Sequence, residues 1–206
     1  MPGKGTQKIS KPLVVAITGA SGASYAMGLL KELGQAGIAV DLVVSHMGRD
    51  MLRREAQIPG HGHLVELLNG RGIVTENFRY FENEDLSAPL ASGSHPAGSM
   101  VVCPCSSKTL SAVASGSCRT LIERAAEVTL KERRKLVLVV RETPYSLAMI
   151  ENMRSATLAG AVILPASPAF YHEPQTIEDL ILFIVARILD HLEIHHNLVK
   201  PWTGRD

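Results

Sequence analysis

The stretch LVVAITGASGASYAMGLLKELGQAG, Leu13 to Gly37, changes its structural period within a few residues. Its first part, LVVAI, is an unbroken β-rich apolar run, the pattern of a strand covered on both faces. Gly19 closes the run. From Ala23 the apolar residues recur at helical spacing until a Gly-type stop. The same alternation repeats along the chain. IAVDLVVS (Ile38 to Ser45) reads as a second strand, and MGRDMLRREAQ after it as a polar-faced helix. MVVCPCS is a third strand, followed by two helices, SKTLSAVASG and TLIERAAEVTLKERR, punctuated at Gly116. KLVLVVRE is a fourth strand, SLAMIENMRSATLAG a helix and AVILP a fifth strand. The last helix, IEDLILFIVARILDHLE, is apolar nearly all round, as expected of a helix buried against neighbours, other subunits included. Between Pro59 and Ala97 the pattern is weak: a GHGH turn, a short helical LVELLNG and a loop, APLASGSHPAGS, with no strand assigned. Apolar strands alternating with helices predict an α/β fold, a doubly wound parallel sheet in a single domain. The domain is set at residues 12–206, behind a disordered tail at 1–11.

Composition narrows the functional classes. The 206 residues are 46% hydrophobic, enough for one sizeable core. With 21 basic and 20 acidic residues the net charge is +1, which argues against nucleic-acid and membrane-surface partners. No apolar run approaches the ~18 residues of a membrane helix, and the N-terminus lacks a signal-peptide core. Three cysteines are an odd number for a disulfide framework, so a reducing, cytoplasmic location is expected.

In doubly wound folds ligands lie outside the carboxyl ends of the strands. Four such ends carry unusual polar chemistry: Thr18 to Gly22, Ser45, Ser106 to Thr109, and Arg141-Glu142. The G-x-x-G turn before a helix suits an anion, with free N–H groups and a positive helix end. It is not the dinucleotide fingerprint, and Ser45 stands where a ribose-binding acid would be. Hydroxyls at Ser21, Ser45, Ser106 and Thr109 suit a mononucleotide with one phosphate and a polyol, such as FMN. The competing reading is a plain tight turn.

Arg124, Lys131, Arg141 and Arg187, with Tyr171, form a second set. Solvated charge accounts for most cations in a run such as LKERRK, but not readily for Arg141 at the end of a hydrophobic strand. Several cations around one cleft would bind a dianion. Glu142 beside them would be placed as a general acid for a phosphate leaving group. Cys103 and Cys105 read as small buried residues, His191 and His195 lack a third metal ligand, and Met149 with Met153 reads as a core-facing helix edge.

ITGASGA, VVCPCSSKTLSAVASG, LIERAAEVTLKERRKLVLVVRETP, ENM, PAFYHEP and the final Trp202 together resemble the flavin prenyltransferase family of the UbiX type, over Leu13 to Trp202. The resemblance implies a Rossmann-like, FMN-binding homo-oligomer, a dodecamer built from trimers with sites at subunit junctions. It implies transfer of dimethylallyl from its monophosphate to N5 and then C6 of reduced FMN, without a metal. The product would serve a UbiD-type decarboxylase, as in ubiquinone biosynthesis. It implies that Gly19, Ser21, Ser45, Ser106 and Thr109 contact flavin, and that Ser92, Gly93, Arg124, Lys131, Arg141, Tyr171 and Arg187 clamp the substrate phosphate, Arg141 serving both. Glu142 matches the acid beside that phosphate, Glu55 a second carboxylate near the flavin, Ser21 a hydroxyl by the reacting nitrogen, and Trp202 an aromatic lid. Val140, Met149 and Thr120 replace a Pro, a His and an Asn common in related sequences. Two other classes remain open: a flavin-dependent decarboxylase of peptidyl cysteine, which needs a catalytic His near the flavin, and a non-catalytic flavin-binding subunit.

Overall fold

Four of the apolar runs are strands buried along their whole length. A computed structural model describes residues 11–200 of the chain. Strands β1 (Leu13–Ile17), β2 (Val40–Val44), β4 (Met100–Cys105) and β5 (Leu136–Val140) are buried at every position. β3 (Phe78–Glu82) and β6 (Val162–Pro165) form the two edges of a six-stranded sheet of order β3-β2-β1-β4-β5-β6. All neighbours pair in parallel. This is the doubly wound order in which the chain reverses direction between β1 and β4.

β3 corrects the sequence reading, which assigned no strand there. Its sequence, FRYFE, is short and half-exposed, as an edge strand can be, so it lacks the continuous apolar run that marks the inner strands.

Side-chain alternation divides the core in two. Val137 and Val139 join the layer packed by α1 (Ala23–Gln35) and α7 (Ile177–His191). Leu136, Leu138 and Val140 join the layer of α4 (Ser107–Ala114), α5 (Leu121–Lys131) and α6 (Leu147–Leu158). α2 (His46–Ala56) and α3 (Leu64–Asn69) complete the first layer. Gly28 lets α7 approach α1, since a Cβ there would lie 3.2 Å from Ile181 and Val185. α7 buries Ile184, Val185, Ile188 and Leu189, while Ile177 at its start remains exposed. Cys103 and Cys105 are fully buried, as expected of small core residues. Burial pushes the Cys105 thiol up to about 12. Met149 is buried and Met153 packs against the same cluster.

Register brings the strand ends together. Ile17 pairs with Val44 and Cys105 with Val140. Pro104 sits inside an irregularity between Val102 and Cys105, which is how a central strand accommodates a residue without an N–H. The Thr18 hydroxyl donates to Pro104 O (2.8 Å) and accepts from Ser106 N (2.9 Å), tying the ends of β1 and β4 across the reversal point.

Candidate active site

Gly19, Ser45, Ser106 and Thr109 line one cavity of about 290 Å³ at this reversal point, near the lower end of the ~300–1,000 Å³ usual for ligand sites. Ser45 and Ser106 are the residues at which α2 and α4 begin. Each hydroxyl oxygen accepts from its own helix, Ser45 from Gly48 N (3.0 Å) and Ser106 from Thr109 N (3.3 Å). The Ser106 and Thr109 hydroxyls also lie 3.1 Å apart. Capping uses a lone pair, so Ser45 keeps an O–H to donate into the cavity. The starts of both helices add partial positive charge. A Cβ on Gly19 would collide with Met47, so only glycine lets α2 begin this close. Hydroxyl donors at helix starts fit a phosphate and a polyol, the donor set expected for FMN.

The far wall of this cavity carries Asn83 and Glu123, which the sequence reading did not single out, and Thr120, noted there only as a departure. Asn83 is buried, its carbonyl accepting from Leu121 N (2.7 Å) and its Oδ1 from Ile122 N (3.2 Å). Thr120 caps α5 through Glu123 N. Glu123, also buried, accepts from Ser117 Oγ and Arg119 N, both at 2.8 Å. The start of α5 is thereby fixed to the end of β3. The one available signal was the aromatic alternation of FRYFE just before Asn83.

Arg141 and Glu142 follow the alternation of β5 out of the sheet and diverge. Arg141 Nε donates to Ser21 O (2.8 Å), on the α1 side. Glu142 Oε2 lies 3.2 Å from the Ser107 hydroxyl on the α4 side, in a cavity of about 310 Å³ shared with Pro144, Ser146 and Met149. The pair therefore serves both faces of the sheet from one rigid strand end.

Glu55, expected as a second carboxylate near the flavin, is engaged in the turn itself. Its Oε2 accepts from Gly22 N and Ala23 N, both at 2.8 Å. Gly22 has φ 119° and no side chain, so α1 lacks its own cap and Glu55 supplies one from the end of α2. Partial burial pushes the Glu55 carboxyl up, but the Gly22 and Ala23 N–H groups, the Ser21 hydroxyl and Arg141 outweigh it and hold it below its ordinary value. A lowered carboxyl stabilises the fold above its ordinary value, and this stabilisation is lost as the pH falls through the folded value. Glu55→Ala is expected to cost about 1 kcal/mol at neutral pH, as for other lost caps, with the difference from wild type vanishing in acid. Urea midpoints at both conditions measure it; a difference that persists in acid would reject the capping role.

The residues expected to clamp phosphate fall into three places on one chain. Arg124 Nε donates to Ala91 O (3.0 Å) and Arg134 Nη2 to Gly93 O (2.8 Å), gripping the loop that carries Ser92 and Gly93. A Cβ on Gly93 would collide with Lys131 Nζ and Glu132, which pair with each other. His95 anchors the same loop to buried Asp41 (3.2 Å), itself paired with Arg79. Tyr171 and Arg187 line a different cavity of about 660 Å³ with Phe183, Asp190 and His196, sharing no residue with the one around Gly19. Arg141 stands between Ser21 and the end of β5. Trp202 and residues 1–10 of the expected tail lie outside the described residues. No helix among the described residues is long and apolar enough to cross a membrane, and no group of three potential metal ligands occurs among them.

Comparison with known proteins agrees with this geometry. A family model described as Flavoprotein matches residues 3–189. Flavin prenyltransferase UbiX of Aquifex aeolicus is 46% identical over 195 residues, covering 93% of this chain and 98% of that protein. A crystal structure of AnUbiX in complex with FMN and dimethylallyl pyrophosphate superimposes with a TM-score of 0.85 at 39% identity, covering 95% and 99%. A dodecameric FMN-dependent UbiX-like decarboxylase from Escherichia coli O157:H7 superimposes with a TM-score of 0.83 at 34% identity, covering 94% and 100%.

Proposed function

The chain belongs to the flavin prenyltransferase family of the UbiX type, and on that premise we propose that it transfers a dimethylallyl group from dimethylallyl monophosphate to reduced FMN. The observation that carries the reading is the strand-end pair, Arg141 directed to the Ser21 turn and Glu142 to the opposite face. Bound reduced FMN supplies the N5 and C6 positions that accept the allyl group. Gly19, Ser21, Ser45, Ser106 and Thr109 hold it. Glu55 keeps the Gly22 turn and Ser21 in place for it. Ser92, Gly93, Arg124, Lys131, Arg141, Tyr171 and Arg187 bind the substrate phosphate, and the departing phosphate takes a proton from Glu142. Trp202 closes over the site. The product goes to a UbiD-type decarboxylase in the cytoplasm, ubiquinone biosynthesis being one pathway with such a step.

The peptidyl-cysteine decarboxylase alternative would have a histidine at hand, because His46 lines the cavity around Gly19. It yields to the near full-length identity with flavin prenyltransferases. A non-catalytic flavin-binding subunit leaves the cations and Glu142 without purpose. The deciding experiment incubates the protein with reduced FMN and either dimethylallyl monophosphate or the diphosphate, then weighs the flavin. A mass gain of one C5 unit, larger with the monophosphate, is expected; unmodified flavin with both would reject the assignment.

Three separated parts of one phosphate clamp also favour assembly, since copies of the chain can bring together what one copy keeps apart. Leu147 and Leu158 on α6, Phe170 and Ile177 are each at least 70% exposed, and such apolar groups are favourable to bury. We assign the protein a homo-oligomer, a dodecamer built from trimers. Light scattering is expected to give a particle larger than a dimer, and a stable, active monomer would contradict it.

A further inference from the structure

The last turn of α7 carries a chain of hydrogen bonds that phosphate binding alone does not explain. Arg187 Nη1 donates to Asp190 Oδ2 at 2.6 Å, one turn further along the helix. His196 Nε2 meets the other oxygen, Asp190 Oδ1, at 3.0 Å. Leu198 N donates to His196 Nδ1 at 3.3 Å. With Nδ1 accepting from the backbone, the proton of a neutral His196 ring lies on Nε2, which donates to Asp190. The carboxylate therefore receives one donor from the helix and one from the segment that follows it.

The chain path explains why this contact forms. After α7 the backbone turns sharply at Glu193 (φ 59°), and Ile194 N bonds back to Leu189 O at 3.0 Å. Ile194 and Leu198 pack against the core layer beneath α7. His196, between them, is only 12% exposed, whereas Arg187 is 51% and Asp190 45% exposed. The least exposed member of the chain belongs to the C-terminal segment, and the most exposed is the cation facing the cavity. Arg187, Asp190, His196 and Lys200 all line that cavity.

We propose that Asp190 is a positioning residue, which aims Arg187 into the cavity and, through His196, ties that aim to the segment Ile194–Lys200. The proposal rests on the reading of Arg187 as a phosphate ligand. A free arginine samples many rotamers, and a carboxylate that fixes one end of the guanidinium leaves the other donors oriented for a bidentate contact. Asp190 contributes geometry rather than attraction, because its own charge repels a phosphate. Phosphate binding at Arg187 and the seating of the C-terminal segment then become coupled events.

Two measurements on the FMN-bound enzyme test this. The first is the split between KM for dimethylallyl monophosphate and kcat in His196→Phe, His196→Gln and Arg187→Ala. In His196→Phe, KM should rise about tenfold, the loss of one net hydrogen bond, while kcat and FMN content stay near wild type. His196→Gln keeps a donor near the Nε2 position and should recover most of the loss. The second is tryptophan emission during titration with inorganic phosphate. Trp202 is the only tryptophan and lies two residues beyond Lys200 in sequence. Phosphate should change its emission in wild type, with the midpoint moved to higher phosphate in His196→Phe. If Arg187→Ala raises KM but His196→Phe does not, or if the Gln and Phe variants are equally impaired, the positioning role is overturned and the clamp stands. If Arg187→Ala leaves KM unchanged, the clamp reading falls and the proposal with it.

Discussion

Lys131→Ala is expected to bind FMN normally and to turn over almost no substrate, with kcat/KM lowered on the order of 10³-fold. The geometry separates the two ligands. The hydroxyls proposed to hold FMN cap α2 and α4, whereas Lys131 ends α5 beside Gly93, where a side chain would collide with its ammonium. An ammonium that close to an open backbone is a compact point charge for a phosphate. Its partner Glu132 makes the truncation worse than neutral. The Lys131 hydrogen bond and charge hold the Glu132 carboxyl below its ordinary value, so removing Lys131 leaves an anion beside the position proposed for the phosphate. Lys131→Ala with Glu132→Gln should therefore recover part of the loss. Steady-state kinetics with flavin content measured on the same preparations decide it. Loss of flavin together with activity would place Lys131 on the other ligand, and a double variant no better than the single would remove Glu132 from the account.

How much of this could be read in advance depended on whether a residue's role is local. Val15, Val101 and Val137 lie in runs whose only stable environment is a sheet covered on both faces, so β1, β4 and β5 were legible from composition alone. Ser45 and Ser106 were legible as strand-end hydroxyls, because each stands where an apolar run gives way to a helical pattern, and each caps the helix that follows. β3 was not, since an edge strand is partly solvated and its charges hide the period. Asn83 was hidden with it. Its role is to satisfy the N–H groups of Leu121 and Ile122, almost forty residues away, and no local pattern announces such a contact. The contacts of Glu55 were hidden for the same reason. Its resemblance to a family carboxylate suggested chemistry, while its nearest partners are the Gly22 and Ala23 N–H groups of a helix that cannot cap itself. The resemblance grouped Arg124, Lys131, Arg141, Tyr171 and Arg187 as one clamp. The fold places them in three locations because they lie on different layers and ends of the sheet, a division invisible in a list of residues.

Glu142→Gln is expected to slow adduct formation about 10²–10⁴-fold, the usual worth of a general acid, while FMN affinity changes little. Breaking the allyl C–O bond leaves its electron pair and growing negative charge on the phosphate, and a proton supplied there lowers the barrier. The supplier must be rigid and must approach from a side that the cations do not occupy. A strand end meets both needs, because adjacent residues of β5 emerge on opposite faces. Arg141 bonds to the Ser21 carbonyl, which leaves the α4 side to Glu142. There the Ser107 hydroxyl and the Thr143 N–H (3.1 Å) orient the carboxyl. Gln keeps the size and the hydrogen-bonding capacity of Glu but has no acidic proton, so it isolates proton transfer from orientation. Ser107→Ala provides the complementary case: the acid remains and one of its guides is lost, so a loss of about tenfold, that of one net hydrogen bond, is expected. Single-turnover absorbance of reduced flavin follows both variants. A Glu142→Gln rate within a few-fold of wild type would leave Glu142 as a structural neighbour of Ser107, and the proton would have to come from elsewhere in the assembled site.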